Sequence, residues 1–252
     1  MNNKILKIKE MKKDDEKIAC LTAYDASFAN ILEKNNIDII LVGDSLGMIF
    51  QGHKNTHEVR IEHIIYHLSC VSRKVEKALL MADLPKDSYN TKDDAYKNSK
   101  FLLDAGAEIV KIEFISEHEE IILHLLNKGI PVCAHIGLKP QYINDDKEII
   151  IYGKDKETAN ELSSQAKLLE NLGVDILLLE CVEPSLSKEI SGLLDIPVIG
   201  IGSGNDTDGQ IQVLYDILGI TECPPNFSKN FLNSTETIGK AIESYVEFVK
   251  DK

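Results

Sequence analysis

Basic residues are scarce in this chain. Its 252 residues include 28 lysines and arginines against 41 aspartates and glutamates, a formal net charge of −13. Binding along a phosphate backbone needs a basic footprint, so the balance argues against nucleic acid as the main partner. Long apolar runs are missing too. No stretch approaches the ~20 residues of a membrane span. Residues 1–15 alternate lysine with isoleucine, leucine and methionine and lack an apolar signal core. The expected location is therefore the cytoplasm, with no membrane partner. The five cysteines, at 20, 70, 133, 181 and 223, form no Cys-x-x-Cys, which argues against a zinc knuckle. Cys20 and Cys133 lie in apolar runs, where a reduced thiol acts as a small hydrophobe. There is no P-loop and no Gly-x-Ser-x-Gly elbow. Gly200-Ile201-Gly202 opens like a dinucleotide fingerprint, but Asn205 stands where the third glycine belongs. His63 and His67 share a helix face without a Glu after His63, so the zincin pattern fails and both are expected on the helix surface.

What the chain does contain is a repeated short apolar run that stops at a polar residue. The clearest is Ile39-Ile40-Leu41-Val42-Gly43-Asp44-Ser45. Such a run reads as a strand covered on both faces, as in a parallel sheet. Its glycine admits tight backbone, and Asp44 and Ser45 fall just beyond the strand's carboxyl end. Similar runs stand at 18–22, 79–83, 108–113, 131–135, 175–180 and 197–201, with a weak eighth at 212–214. Helical patterns separate them, at 27–33, 60–76, 117–127, 158–172 and 185–194. Thr91 or Asp93 can cap a further helix that Gly106 closes. Helices also flank the series at 4–13 and 235–249, and residues 141–157 read as a polar, irregular insertion. Strands alternating with helices imply parallel βαβ units. Seven strands and a weak eighth fit an α/β fold of the (β/α)₈ TIM-barrel type, one domain over residues 1–252, better than an open doubly wound sheet.

Barrel enzymes work at the carboxyl ends of their strands. There this chain offers Asp44, Asp83, Glu113, His135 and Glu180. One polar residue after a strand is commonplace; five such ends point to a shared site. Asp44, Asp83 and Glu113 end neighbouring strands and would repel one another unless a cation sits among them. Mg²⁺ or another hard divalent ion suits such oxygens, using one or two carboxylates plus substrate. Lys111 lies two residues before Glu113 and so faces the same side. Glu180 stands apart from the first three, and a carboxyl in an apolar mouth has the raised pKa of a general base.

At these residues the chain resembles the ketopantoate hydroxymethyltransferase family. The likeness runs through Leu21-Thr22-Ala23-Tyr24-Asp25, Leu41-Val42-Gly43-Asp44-Ser45-Leu46-Gly47-Met48, Ala82-Asp83-Leu84-Pro85, Val110-Lys111-Ile112-Glu113 and Pro131-Val132-Cys133-Ala134-His135. It continues through Leu179-Glu180-Cys181-Val182, Ile199-Gly200-Ile201-Gly202-Ser203-Gly204 and Thr207-Asp208-Gly209-Gln210 to about residue 232. The resemblance implies a barrel of the phosphoenolpyruvate mutase group. It also implies metal-dependent transfer of a one-carbon unit from 5,10-methylenetetrahydrofolate, as co-substrate, to 3-methyl-2-oxobutanoate. By the same likeness Asp44, Asp83 and Glu113 match metal-site acids, while Ser45 and Lys111 match keto-acid contacts. Glu180 matches the proton acceptor and His135 a histidine lining the site. A homo-oligomer, a decamer, is implied as well.

The chain departs from the family in loops over the mouth. Lys86 and Asp87 follow Leu84-Pro85, Phe114 and Ile115 replace two glycines, and 145–149 replace a Phe-Gly-Gly-aromatic segment. These changes bear on the folate more than on the acids. Two other readings share the same residues: a carbon–carbon lyase of the same superfamily on another 2-oxo acid, and a silent barrel that binds a keto acid.

Overall fold

A computed structural model describes residues 2–143 and 150–251. Eight strands close into a parallel barrel in chain order, with the last pairing back to the first. They are β1 (Ile18–Thr22), β2 (Ile39–Val42), β3 (Leu79–Asp83), β4 (Ile109–Glu113), β5 (Val132–Gly137), β6 (Ile176–Glu180), β7 (Val198–Ile201) and β8 (Gly209–Gln212). The helices are α1 (Asn3–Lys13), α2 (Ala26–Lys34), α3 (Leu46–Ile49), α4 (Ile61–Ser72) and α5 (Lys92–Asp104), then α6 (Glu119–Asn127), α7 (Lys156–Leu172), α8 (Pro184–Leu193), α9 (Leu214–Ile217) and α10 (Ile238–Lys250). The insertion segment 145–149 lies outside the described residues.

Alternation along each strand makes two cores. Ile18, Cys20, Ile39, Leu41, Leu79, Met81, Ile109, Cys133, Ile176, Leu178, Ile199 and Ile211 fill the barrel interior. Their neighbours, among them Leu21, Ile40, Val42, Leu80, Val110, Ile112 and Leu177, pack outward under the helices. The amphipathic N-terminal segment does not join the outer ring. Ile5, Ile8 and Met11 of α1 pack with the interior set and plug the amino-terminal end of the barrel. Cys20 and Cys133 are buried and free, and burial pushes both thiols up, that of Cys133 to about 12. They are inert core residues, as their apolar settings suggested.

Four expectations shift. The eighth strand is Gly209–Gln212, earlier than the apolar triplet at 212–214 suggested. A Cβ on Gly209 would stand 2.4 Å from the Ile18 carbonyl oxygen, so the closing seam of the barrel requires glycine where an apolar residue was sought. The helix expected over 60–76 stops at Ser72. The helix expected from 158 begins at Lys156, because Asp155 caps the Glu157 and Thr158 N–H groups. His67 is buried, with Nδ1 2.7 Å from the Tyr24 carbonyl oxygen, rather than on the surface. Aromatic rings of Tyr24, Phe50 and Tyr66 surround it, so a polar residue on an apolar face is satisfied by one backbone acceptor.

Candidate active site

The strand register carries the acids to one end. Asp83 pairs with Lys111, Glu113 with His135, and Glu180 with Ile201. Lys111 and Glu113 share the interior parity of Ile109 on β4. On β5 His135 shares that of Cys133, and on β6 Glu180 shares that of Leu178. Asp44 follows β2 by one glycine. A Cβ on Gly43 would come 3.1 Å from Asp83 Oδ2, a tight fit beside the point where the Asp44 N–H donates to that oxygen at 2.9 Å. Gly137 ends β5 at φ +94°, where a Cβ would meet the Glu180 carbonyl oxygen at 2.3 Å. Only glycine lets the chain turn there against β6.

The cation among the acids is Lys111. Its Nζ lies 2.7 Å from Asp83 Oδ1, a close ion pair. Both side chains are almost wholly buried. Burial alone would lower the Lys111 pKa, but Asp83, Asp44 and Glu113 outweigh it and the ammonium is held well above its ordinary range. One ammonium does not balance the set. Burial, then Asp83, pushes the Asp44 carboxyl up to about 7. Burial pushes Glu113 up as well, against the pull of Lys111. Glu180 rises to about 8, again by burial, and its side chain keeps a modest exposure.

Glu180 is not as isolated as its strand position suggested. His135 stands between it and Glu113, with Nε2 3.4 Å from Glu180 Oε2 and Nδ1 3.7 Å from Glu113 Oε1. Burial, followed by Lys111 and Lys139, holds the imidazole well below its ordinary pKa, so it is neutral. Ser45 reaches the same rim, its Oγ 2.7 Å from the Tyr24 hydroxyl. All seven residues expected at the site therefore lie at one end of the barrel.

The residues fit a divalent cation in part. Glu113 Oε1 and both His135 ring nitrogens are buried without hydrogen-bond partners, and Asp83 Oδ1 has only the Lys111 contact. Buried polar atoms left open in this way mark places for a ligand. Yet among the described residues no three His, Cys, Asp or Glu side chains are spaced to hold a metal by themselves. The three acids do not form a closed cage. That suits an ion such as Mg²⁺, which takes one or two carboxylates and completes its shell with water and substrate.

One residue of the site was not anticipated. Gln141, in a short 3₁₀ turn at Pro140–Tyr142, is buried among the acids. It donates from Nε2 to Asp44 Oδ2 at 2.8 Å and from its backbone N–H to Glu113 Oε2 at 3.1 Å. It falls in a segment whose polar composition reads as an insertion; the available signal was Pro140, which starts the turn three residues after β5. Of the departures from the family pattern, Phe114 is buried in the outer core, and Asp87 is exposed with φ +63°. Neither displaces an acid. A separate cavity of about 170 Å³ lies between the β7 and β8 ends and α10, lined by Gly204, Asn205, Gln212, Phe227, Lys229 and Phe248. It holds no acid, and Gln212 reaches it from the outer face of β8, opposite to Ile211. We place the chemistry at the acid cluster, where buried charge is unbalanced.

A sequence model described as ketopantoate hydroxymethyltransferase matches residues 2–252. The chain is 46% identical over 241 residues to the 3-methyl-2-oxobutanoate hydroxymethyltransferase of Shewanella loihica, covering 95% of this chain and 91% of that one. It is 44% identical over 244 residues to the enzyme of that name from Marinobacter nauticus, covering 96% and 92%. Among solved structures, phosphoenolpyruvate phosphomutase from Streptomyces platensis aligns with a TM-score of 0.64 at 13% identity, over 85% of this chain and 82% of that one. A 2,3-dimethylmalate lyase of the phosphoenolpyruvate mutase/isocitrate lyase superfamily aligns with a TM-score of 0.61 at 11% identity, over 84% and 81%. At such identities the structures speak to the fold alone, a closed parallel (β/α)₈ barrel. With its whole length matched and nearly half its residues identical to curated members, the chain belongs to the ketopantoate hydroxymethyltransferase family.

Proposed function

We propose that this chain transfers a hydroxymethyl group from 5,10-methylenetetrahydrofolate to 3-methyl-2-oxobutanoate, giving 2-dehydropantoate on the route to pantothenate and coenzyme A. The observation that carries the reading is the buried cluster of Asp44, Asp83, Glu113 and Lys111, set one imidazole away from Glu180. The proton to be removed lies α to a ketone and is only weakly acidic. Glu180, raised to about 8, is a base of suitable strength for it. Lys111 remains charged and supports the negative charge that develops on the 2-oxo oxygen. Ser45 and Lys111 hold the keto acid, while Asp44 and Asp83 hold a divalent cation with Glu113 beside them. When bound, that ion supplies Lewis acidity toward the 2-oxo group. Neutral His135 lies against Glu180 and can pass a proton without adding charge. Both C–N bonds of the donor's methylene break as water adds its oxygen to that carbon, and tetrahydrofolate leaves with the water's two hydrogens on its nitrogens. C3 of the substrate forms the new carbon–carbon bond to this carbon, and the proton taken by Glu180 returns to the resulting hydroxyl oxygen.

The partners are small molecules and further copies of this chain in a ring-like homo-oligomer, a decamer by family resemblance. Exposed Met48, Phe50 and Tyr66 support such self-association. The location is cytoplasmic in this reading; among the described residues no helix is long and apolar enough to cross a membrane. The direct test is proton NMR of 3-methyl-2-oxobutanoate in D₂O with protein and Mg²⁺, followed by addition of methylenetetrahydrofolate. Metal-dependent loss of the C3 proton and then a hydroxymethyl signal are expected. Exchange without product would separate enolisation from folate use, and no exchange with any divalent metal would overturn the assignment.

A further inference from the structure

Gln141 makes four contacts, and together they leave its side chain one orientation. The Tyr89 hydroxyl donates to Gln141 Oε1 at 2.6 Å. The two N–H bonds of Nε2 then point to Asp44 Oδ2 at 2.8 Å and to the Leu84 carbonyl oxygen at 3.1 Å. Turning the carboxamide over would set its oxygen against a carboxylate and a carbonyl, so the assignment follows from the partners. The backbone N–H of Gln141 holds Glu113 Oε2 at 3.1 Å. Gln141 and Tyr89 are 1% and 2% exposed, so no water competes for these bonds. A single turn following β5 thereby grips the acids that end β2 and β4, while the loop following β3 supplies the tyrosine.

We propose that Gln141 is a positioning residue for the divalent cation: it fixes the rotation of the Asp44 carboxylate and the placement of Glu113, with Tyr89 locking its own amide. The inference rests on the metal-dependent reading of the site given above. Partners that orient ligating carboxylates from outside typically change metal affinity by about 10- to 100-fold when removed. Tyr89 acts one bond further out, so its loss has the smaller effect.

The test measures Mn²⁺ binding to the full-length protein by the electron paramagnetic resonance signal of free Mn²⁺, with and without 3-methyl-2-oxobutanoate. The variants are Gln141→Leu, Tyr89→Phe and Asp44→Asn, each checked for a wild-type circular dichroism spectrum. Wild type is expected to bind and Asp44→Asn to lose binding. Gln141→Leu should weaken it by about 10- to 100-fold, and Tyr89→Phe should weaken it by a smaller factor. If wild type binds nothing, or Asp44→Asn binds as well as wild type, the metal reading of the site falls and this inference with it. If wild type and Asp44→Asn behave as expected but Gln141→Leu binds like wild type, only the role of Gln141 is overturned. Should Gln141→Leu fail to fold, Tyr89→Phe decides alone: weakened binding supports the lock and unchanged binding overturns it.

Discussion

The two ends of the barrel carry similar acids and treat them in opposite ways. At the amino-terminal end, Asp38, Glu108, Asp175 and Asp208 each stand one residue before β2, β4, β6 and β8. Each accepts a backbone N–H from the preceding odd strand: Ala19 to Asp38 at 3.0 Å, Leu80 to Glu108 at 3.2 Å, Val132 to Asp175 at 3.3 Å and Val198 to Asp208 at 2.7 Å. Each also meets a lysine. Lys4, Lys9 and Lys12 of α1 reach Glu108, Asp175 and Asp208 at 2.9, 2.7 and 2.7 Å. Lys250 of α10 reaches Asp38 at 2.7 Å. Every acid there has at least one lysine, Asp38 also having Lys7 at 4.0 Å, and the end is shut. At the carboxyl-terminal end, among the described residues, Asp44, Asp83, Glu113 and Glu180 face one ammonium in ion-pair contact, that of Lys111, with Lys139 further off and a neutral imidazole between Glu113 and Glu180. A structural end completes its own electrostatics, whereas a working end leaves a deficit for its ligands to fill.

Four changes test that contrast. The largest effect is expected from Glu180→Gln, which should slow C3 proton exchange by about 10²- to 10⁴-fold while sparing Mn²⁺ binding. Exchange at the wild-type rate would remove Glu180 as the base. Next comes Lys111→Met, which strands Asp83 without its partner. Removing one side of a buried pair costs about 3–5 kcal/mol, to be read by urea unfolding without metal, and added Mg²⁺ should return part of it.

Lys12→Met at the closed end comes third. It removes bonds to Ser191 O, Ile196 O and Asp208 Oδ2. Loss of such charged bonds should cost about 1.5–3 kcal/mol and leave turnover per folded molecule unchanged. A large fall in turnover would deny the division of labour between the ends.

The smallest effect concerns pH. A carboxyl whose pKa is higher in the folded chain binds more protons when folded, so stability falls as pH rises between its unfolded and folded values. Those windows run from 3.8 to about 7 for Asp44 and from 4.5 to about 8 for Glu180. Mg²⁺ should therefore raise the melting temperature by a few degrees more at pH 8 than at pH 5.5, measured by differential scanning calorimetry. An equal gain at both values would mean that Asp44 does not hold the ion.

Much of this was legible in the chain itself. Strands β1 and β3 have the limits that their apolar runs suggested, because buried strands are read from continuous hydrophobicity bounded by polar residues. That the candidate site residues gather at one end was legible because barrel geometry places every strand's final residue there. Three features were not. The eighth strand is written in glycine and glutamine, chosen for close approach rather than hydrophobicity. His67 is buried by rings remote from it in sequence. Gln141 belongs to the site only because a turn 97 residues from Asp44 folds over the β2 end.

By itself the sequence determined the alternation of strands and helices, the chemical type of each strand-end residue and the family, since period, apolar runs and motifs are properties of neighbours along the chain. Tertiary structure alone decided which acids are neutralised and which are not. Charge balance and desolvation depend on distances in space, and those distances exist only once the barrel has closed.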